Sequence, residues 1–284
     1  MAAVVTTPDQ PKGRGLRVQP NPLKIRSNEG KVPTFAFASL RDEDAKNQIA
    51  QLEPDLFVVA SYGKLIPESW LRIPRKAALN VHPSLLPKYR GAAPIARQIL
   101  EGEKDAGVSI AEVTPELDAG DIFCQIRAPL GPRDTTRSLT QSLSLLSVKA
   151  LAEVFSQLEK GRLRRVPQTG ESSYAKKLAK EEGRLSFTEP AENLDRKIRA
   201  FDPWPGAFID FQGKPLRIYE AATAGSDPPK FKIGTLLDVT SEGGLTIQTA
   251  KGTLLILKVQ LPGRQIISGQ AFANGQRLMP GFIF

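Results

Sequence analysis

The sequence predicts two parts: an α/β domain with a largely parallel sheet, then a small β-barrel or sandwich. Three observations carry that reading. Over residues 1–160 apolar runs of strand length alternate with helical spacings, the pattern of a sheet covered by helices. Beyond residue 205 short apolar runs are divided by glycine-bearing turns, as in all-β domains. Between the two the charge changes: residues 1–159 hold 20 Lys+Arg and 18 Asp+Glu, residues 160–284 hold 19 and 12. A length of 284 residues accommodates two domains. The boundary falls at residues 161–175, where Gly161, Pro167 and Gly170 interrupt the pattern, giving domains at 1–160 and 176–284.

Residues 2–5 are a short apolar strand. Residues 11–31 carry six basic residues against one acidic, with Gly13, Gly15, Pro20 and Pro22 among them, and read as a loop rather than a helix. Ala45, Ile49 and Leu52 recur at helical spacing. Residues 56–60 are continuously apolar, as in a strand buried on both faces. Strands follow at 77–81, 107–113 and 122–128, with a helix at 92–101 and a long amphipathic helix at 138–158. In the second part a helix at 194–200 precedes strands at 208–211, 216–221, 232–238, 245–249 and 253–259.

Composition excludes several chemistries. With one cysteine and one histidine, the chain can form no internal disulfide and no four-ligand Cys/His zinc site. No apolar run approaches the ~18–20 residues of a membrane span, so no membrane partner is expected. G-x-S-x-G, G-x-G-x-x-G and Walker A patterns are absent. Cys124 falls in an apolar strand and reads as core. The net charge of +9 makes nucleic acid a candidate partner.

The single histidine sits in N-V-H-P-S-L-L-P-K-Y-R-G-A-A-P at 80–94. Strand alternation sets Asn80 and His82 on one side, and Pro83 ends the strand. Both side chains then project at a carboxyl edge, where open α/β sheets bind ligands. An amide and an imidazole there suit an oxyanion; the bland alternative is a histidine tied into a turn. Further on, L-D-A-G-D at 117–121 lies between two strands. Its carboxylate can orient His82, or the segment is simply an Asp-Gly turn.

These two runs together resemble the formyltransferase family that uses 10-formyltetrahydrofolate, and within it the members that act on initiator tRNA. Three further stretches are similar: T-T-P-D-Q-P-K-G-R-G-L-R-V-Q-P-N-P-L-K at 6–24, V-A-S-Y-G-K-L-I-P at 59–67 and F-D-P-W-P-G-A at 201–207. The resemblance implies a Rossmann-like catalytic domain followed by an OB-like barrel. It also implies formyl transfer from 10-formyltetrahydrofolate to the α-amino group of initiator methionyl-tRNA, by a monomer without metal, in the bacterial cytoplasm or, as the alternative, an organellar matrix. Alternatives are the same chemistry on a sugar amine or water, or a non-catalytic tRNA-binding remnant. By resemblance Asn80, His82 and Asp118 are catalytic. Gly63, Lys64, Leu65, Ile66, Ser84, Leu85, Leu86 and Pro87 contact folate, and Lys12, Arg14 and Arg17 approach the tRNA acceptor stem. The family's first strand, its G-T-P-type loop and the next helix have no counterpart here. The chain is therefore expected to be N-terminally truncated, with open strand edges at residues 2–5 and 56–60.

Overall fold

The structure, a computed structural model, describes residues 1–12, 17–19, 21–225, 227–240 and 243–284. The chain forms two compact units interleaved along the sequence. One holds Met1–His82, Ser109–Cys124 and Glu153–Gly170; the other holds Pro83–Val108, Gln125–Ala152 and Glu171–Phe284. The chain leaves the first unit for the last time inside the stretch 161–175.

From the start come β1 (Val4–Thr6), β2 (Gln10–Lys12), β3 (Arg17–Gln19), α1 (Pro22–Glu29), β4 (Thr34–Ala36), α2 (Glu43–Ala50), β5 (Leu56–Val59), the short α3 (Glu68–Leu71) and β6 (Ala77–His82). β7 (Arg90–Gly91), α4 (Pro94–Glu101), β8 (Asp105–Glu112), β9 (Ile122–Pro129) and α5 (Thr136–Glu159) follow. A four-stranded sheet runs in the order β5-β6-β8-β9, while β1 and β4 pair in parallel as a sheet of their own. β5 and β6 are parallel, with Val59 opposite Asn80. β8 is antiparallel to β6, with Ala111 opposite Asn80 and Ser109 opposite His82. The sheet thus turns from parallel to mixed at the strand that carries the histidine.

Local chemistry explains these elements. Asp42 caps α2 by accepting from Asp44 N at 3.0 Å, satisfying one of the helix's orphan donors. The same helix buries Ala45 and Ile49 against Leu40 and Trp70, with Phe35, Phe37, Phe57, Tyr62 and Ile66 packed around them. Trp70 Nε1 donates to Leu40 O at 2.6 Å, so the indole is buried with its polar atom paired. Leu139, Leu143, Ala150 and Val154 form the buried face of α5.

Two readings need correction. The described part of residues 11–31 is not all loop: β2 and β3 pair antiparallel and the helix α1 follows. Pro22 and Asn21 start this helix, with proline in its first turn and the Asn21 side chain accepting from Leu23 N, positions that favour these residues. Asp9 braces the junction, accepting from Asn21 N and Lys24 Nζ, each at 2.9 Å. The second concerns β5, which is not buried on both faces, since Val58 is 44% exposed. Among the described residues β1 and β5 each have a single strand partner.

In the second unit β10 (Tyr174–Ala175) pairs with β7, and α6 (Ala191–Ala200) leads into β11 (Ala207–Phe211), β12 (Lys214–Ala224), β13 (Leu236–Val239), β14 (Leu245–Gln248), β15 (Thr253–Gln260), β16 (Ile267–Ser268) and α7 (Gly269–Gln276). The strands make one antiparallel sheet in the order β11-β12-β15-β14-β13, with β16 on β15. Leu194 and Ile198 from α6, Phe272 from α7 and the inward residues of β11, β12, β14 and β15 form its core. Alternation of buried and open positions along β11 and β15 is what a sheet with one covered face requires.

Candidate active site

The last residues of β6 supply the first two candidate side chains. Asn80 and His82 are two apart and share a face. Pro83 follows at once, and its missing N–H suits a strand end. His82 is 4% exposed, so its imidazole acts in a largely dry setting. Asn80 Nδ2 donates to Asp118 Oδ1 at 2.8 Å. Asp118 Oδ2 lies 3.6 Å from His82 Nδ1. At that separation the carboxylate faces the ring within ion-pair range.

The carboxylate comes from the loop between β8 and β9. Asp118 has φ +51°, the left-handed region where aspartate is tolerated better than most residues. Gly120 is required by close approach: a Cβ there would lie 2.1 Å from Glu112 O. The loop is held at three points by residues 165–168. Arg165 Nη1 donates to both carboxylate oxygens of Glu112, at 2.9 and 3.1 Å. Ile122 and Val166 exchange both backbone hydrogen bonds, at 2.8 and 3.0 Å. Gln168 Nε2 donates to Asp118 O and to Gly120 O, each at 2.8 Å. Sequence reading treated Pro167–Gly170 as linker and missed Gln168, because a tie across 50 positions leaves no local pattern.

Of the other residues singled out, Gly63, Lys64, Leu65 and Ile66 form the loop after β5. Since β5 and β6 are parallel, this loop leaves the sheet at the edge where Asn80 and His82 sit. Gly63 has φ +74° with open space where a Cβ would be. Leu65 is 79% exposed, Lys64 Nζ donates to Ala38 O at 2.8 Å, and Ile66 packs on the Trp70 cluster. In the second unit Ser84, Leu85, Leu86 and Pro87 make a tight turn. Ser84 Oγ donates to Lys88 O at 2.6 Å, and Leu86 O accepts from Gln125 Nε2 at 3.0 Å. Lys12 and Arg17 stand opposite each other on the β2–β3 backbone ladder, while Arg14 lies outside the described residues. The Cys124 thiol is pushed above its ordinary range by burial, which suits packing rather than nucleophilic attack.

An amide N–H, an imidazole and a carboxylate gathered at the end of a strand can stabilise an oxyanion and accept or relay one proton. Asn80 Nδ2 carries two hydrogens, and the bond to Asp118 uses one while fixing the direction of the other. Among the described residues no group of three or more His, Cys, Asp or Glu is placed to hold a metal. Among the described residues no helix is long and apolar enough to cross a membrane.

The chain is similar at length to known proteins. Residues 1–155 match the formyl transferase family and residues 177–277 its formyl transferase C-terminal domain. The methionyl-tRNA formyltransferase of Nitrosococcus oceani is 39% identical over 289 residues, covering 100% of this chain and 88% of that protein. Its counterpart from Thermus thermophilus is 41% identical over 278 residues, covering 98% and 89%. Among solved structures, HypX from Aquifex aeolicus, in complex with tetrahydrofolic acid, superposes with a TM-score of 0.63 at 22% identity. That match covers 88% of this chain and 44% of HypX and speaks to the fold alone. Matched in both parts, and similar to such relatives along nearly its whole length, the chain belongs to the formyl transferase family.

Proposed function

We propose that this chain transfers the formyl group of 10-formyltetrahydrofolate to the α-amino group of methionine esterified to initiator tRNA. The observation that carries the reading is the Asn80–Asp118–His82 cluster at the end of β6, in a chain similar throughout to methionyl-tRNA formyltransferases. The amine nitrogen attacks the formyl carbon, and the carbonyl oxygen becomes an oxyanion. Asn80 and His82 donate to that oxygen. Asp118 keeps His82 oriented and favours its protonated form as charge develops. Collapse breaks the bond from the formyl carbon to N10. One proton leaves the amine and one is delivered to N10, with His82 and Asp118 as the relay, so tetrahydrofolate departs neutral at that nitrogen.

Folate is held by Gly63, Lys64, Leu65 and Ile66, with Ser84, Leu85, Leu86 and Pro87 contributing. Lys12, Arg14 and Arg17, in the basic stretch at residues 11–31, take the tRNA acceptor stem. The chain works as a monomer, in the cytoplasm where initiator tRNA is charged.

The test is formyl transfer from 10-formyltetrahydrofolate to charged initiator tRNA, for the natural chain and for His82→Ala and Asp118→Asn. We expect tRNA-dependent transfer, and a fall in kcat of ~10²–10³ or more in each variant, with tRNA affinity unchanged. Formate release without an acceptor or formylation of a sugar amine in preference to tRNA would refute the reading, and near-normal turnover in either variant would remove the proposed mechanism.

A further inference from the structure

We propose that residues 165–168 are a working part of the catalytic centre, with Gln168 as the residue that positions Asp118. The inference rests on the catalytic reading of Asp118 above. Each contact falls at a point that matters to the loop. Arg165 grips Glu112, the last residue of β8, and its guanidinium lies over the Phe123 ring at 5.7 Å. Val166 pairs with Ile122, the first residue of β9. The two ends of the loop are thereby fixed from one strap. Gln168 then reaches its middle and bonds the carbonyls on either side of Ala119.

Those two carbonyls fix the backbone on which Asp118 stands. A non-glycine residue at φ +51° sits in a sparsely populated region and persists only where its surroundings determine it. If the peptide after Asp118 turned away, Asp118 O would leave the Gln168 amide and the side chain would swing from Asn80 and His82. The Arg165–Glu112 pair is a half-exposed ion pair, which contributes little energy; its role is to set register. The Gln168 amide is partly buried and serves two acceptors at once, which is the geometry of a clamp.

The experiment uses the full chain with Gln168→Ala and the isosteric Gln168→Glu, alone and combined with Asp118→Asn. Gln168→Glu keeps the volume and removes the amide donors, so a packing defect in the alanine variant is separable. We expect both single variants to lower kcat about 10- to 100-fold, with KM for either substrate within about twofold, while cooperative unfolding is retained. In the Asp118→Asn background the same changes should cost less than about threefold, since residues acting through one another are non-additive. The chain's single imidazole gives a second readout that needs no substrate: its NMR signals should move in both variants. Unchanged kcat per folded molecule, an additive cycle, or unmoved His82 signals would overturn the proposal. Wild-type turnover in Asp118→Asn alone would instead overturn the catalytic reading of the site, and the role of Gln168 with it.

Discussion

Asn80→Asp is the sharpest single perturbation of the site, because it exchanges one hydrogen-bond donor for an oxygen at almost constant shape. Asn80 Nδ2 lies 2.8 Å from Asp118 Oδ1. Two carboxylates at that distance would repel by roughly 6 kcal/mol at an effective dielectric constant of ~20. That equals about four pH units of proton affinity, so the variant pair holds one proton between them at neutral pH instead of ionising fully. The sign for stability follows. In the unfolded chain both carboxyls ionise near pH 4, while the folded pair keeps its proton well above that. The folded form is therefore penalised as pH rises, by about 1.4 kcal/mol per unit between roughly pH 4 and 7. Urea unfolding across pH 4–8 should show the variant close to the natural chain at the acid end and ~3–4 kcal/mol weaker near neutrality. Turnover should fall by at least ~10²-fold, the usual effect of losing one oxyanion donor. Parallel stability curves over that range, or turnover within tenfold of the natural chain, would refute both the Asn80–Asp118 contact and its role.

Two further outcomes are expected. If the basic stretch at residues 11–31 meets phosphates, replacing Lys12, Arg14 and Arg17 together should flatten the salt dependence of tRNA binding by about three charges without slowing transfer to a small amine, and an unchanged slope in a filter-binding titration would contradict that. In the second unit the Arg97 guanidinium, bonded at 2.7 and 3.0 Å, holds Glu182 below the usual carboxylate range. That stabilisation is present above the unfolded carboxyl value of ~4.3 and is lost as pH falls through the lower folded value, so Glu182→Gln should cost about 1–2 kcal/mol at pH 7 and progressively less as the pH is lowered into the acid range, whereas a constant deficit across a pH series of thermal melts would count against the pairing.

Much of the site was legible in the order of residues. Alternation placed Asn80 and His82 on one face, Pro83 marked the strand end, and the resemblance singled out Asp118 in its loop. The long helix predicted at 138–158 is observed at Thr136–Glu159, since its apolar face leaves little freedom of assignment. What was missed has physical causes. Pro22 breaks a helix from within but begins one at its first turn, and only its place relative to Asn21 tells the two apart. The run at 56–60 is apolar throughout, yet burial depends on what covers a strand, and Val58 stays open. The antiparallel course of β8 has no signature in an apolar run, which reads the same in either direction. Gln168 is an ordinary polar residue among turn formers until the loop it clamps is folded beside it.

The strap also imposes an order on synthesis. A chain emerges from the ribosome amino end first, at about 5–20 residues per second during translation. Gln168 follows Asp118 by 50 positions, so the amide appears roughly 2.5–10 s after the carboxylate it clamps. During that interval Asn80, His82 and Asp118 have all been made, but the loop bearing the carboxylate has no clamp. A fragment cut at residue 160, where composition shifts, would keep that state permanently: it would carry Asn80, His82 and Asp118 without the amide that bonds Asp118 O and Gly120 O. If Gln168 positions Asp118 as proposed, formyl transfer reaches its full rate only when translation has run past Gln168, and a division of the chain intended to preserve that rate has to fall after it.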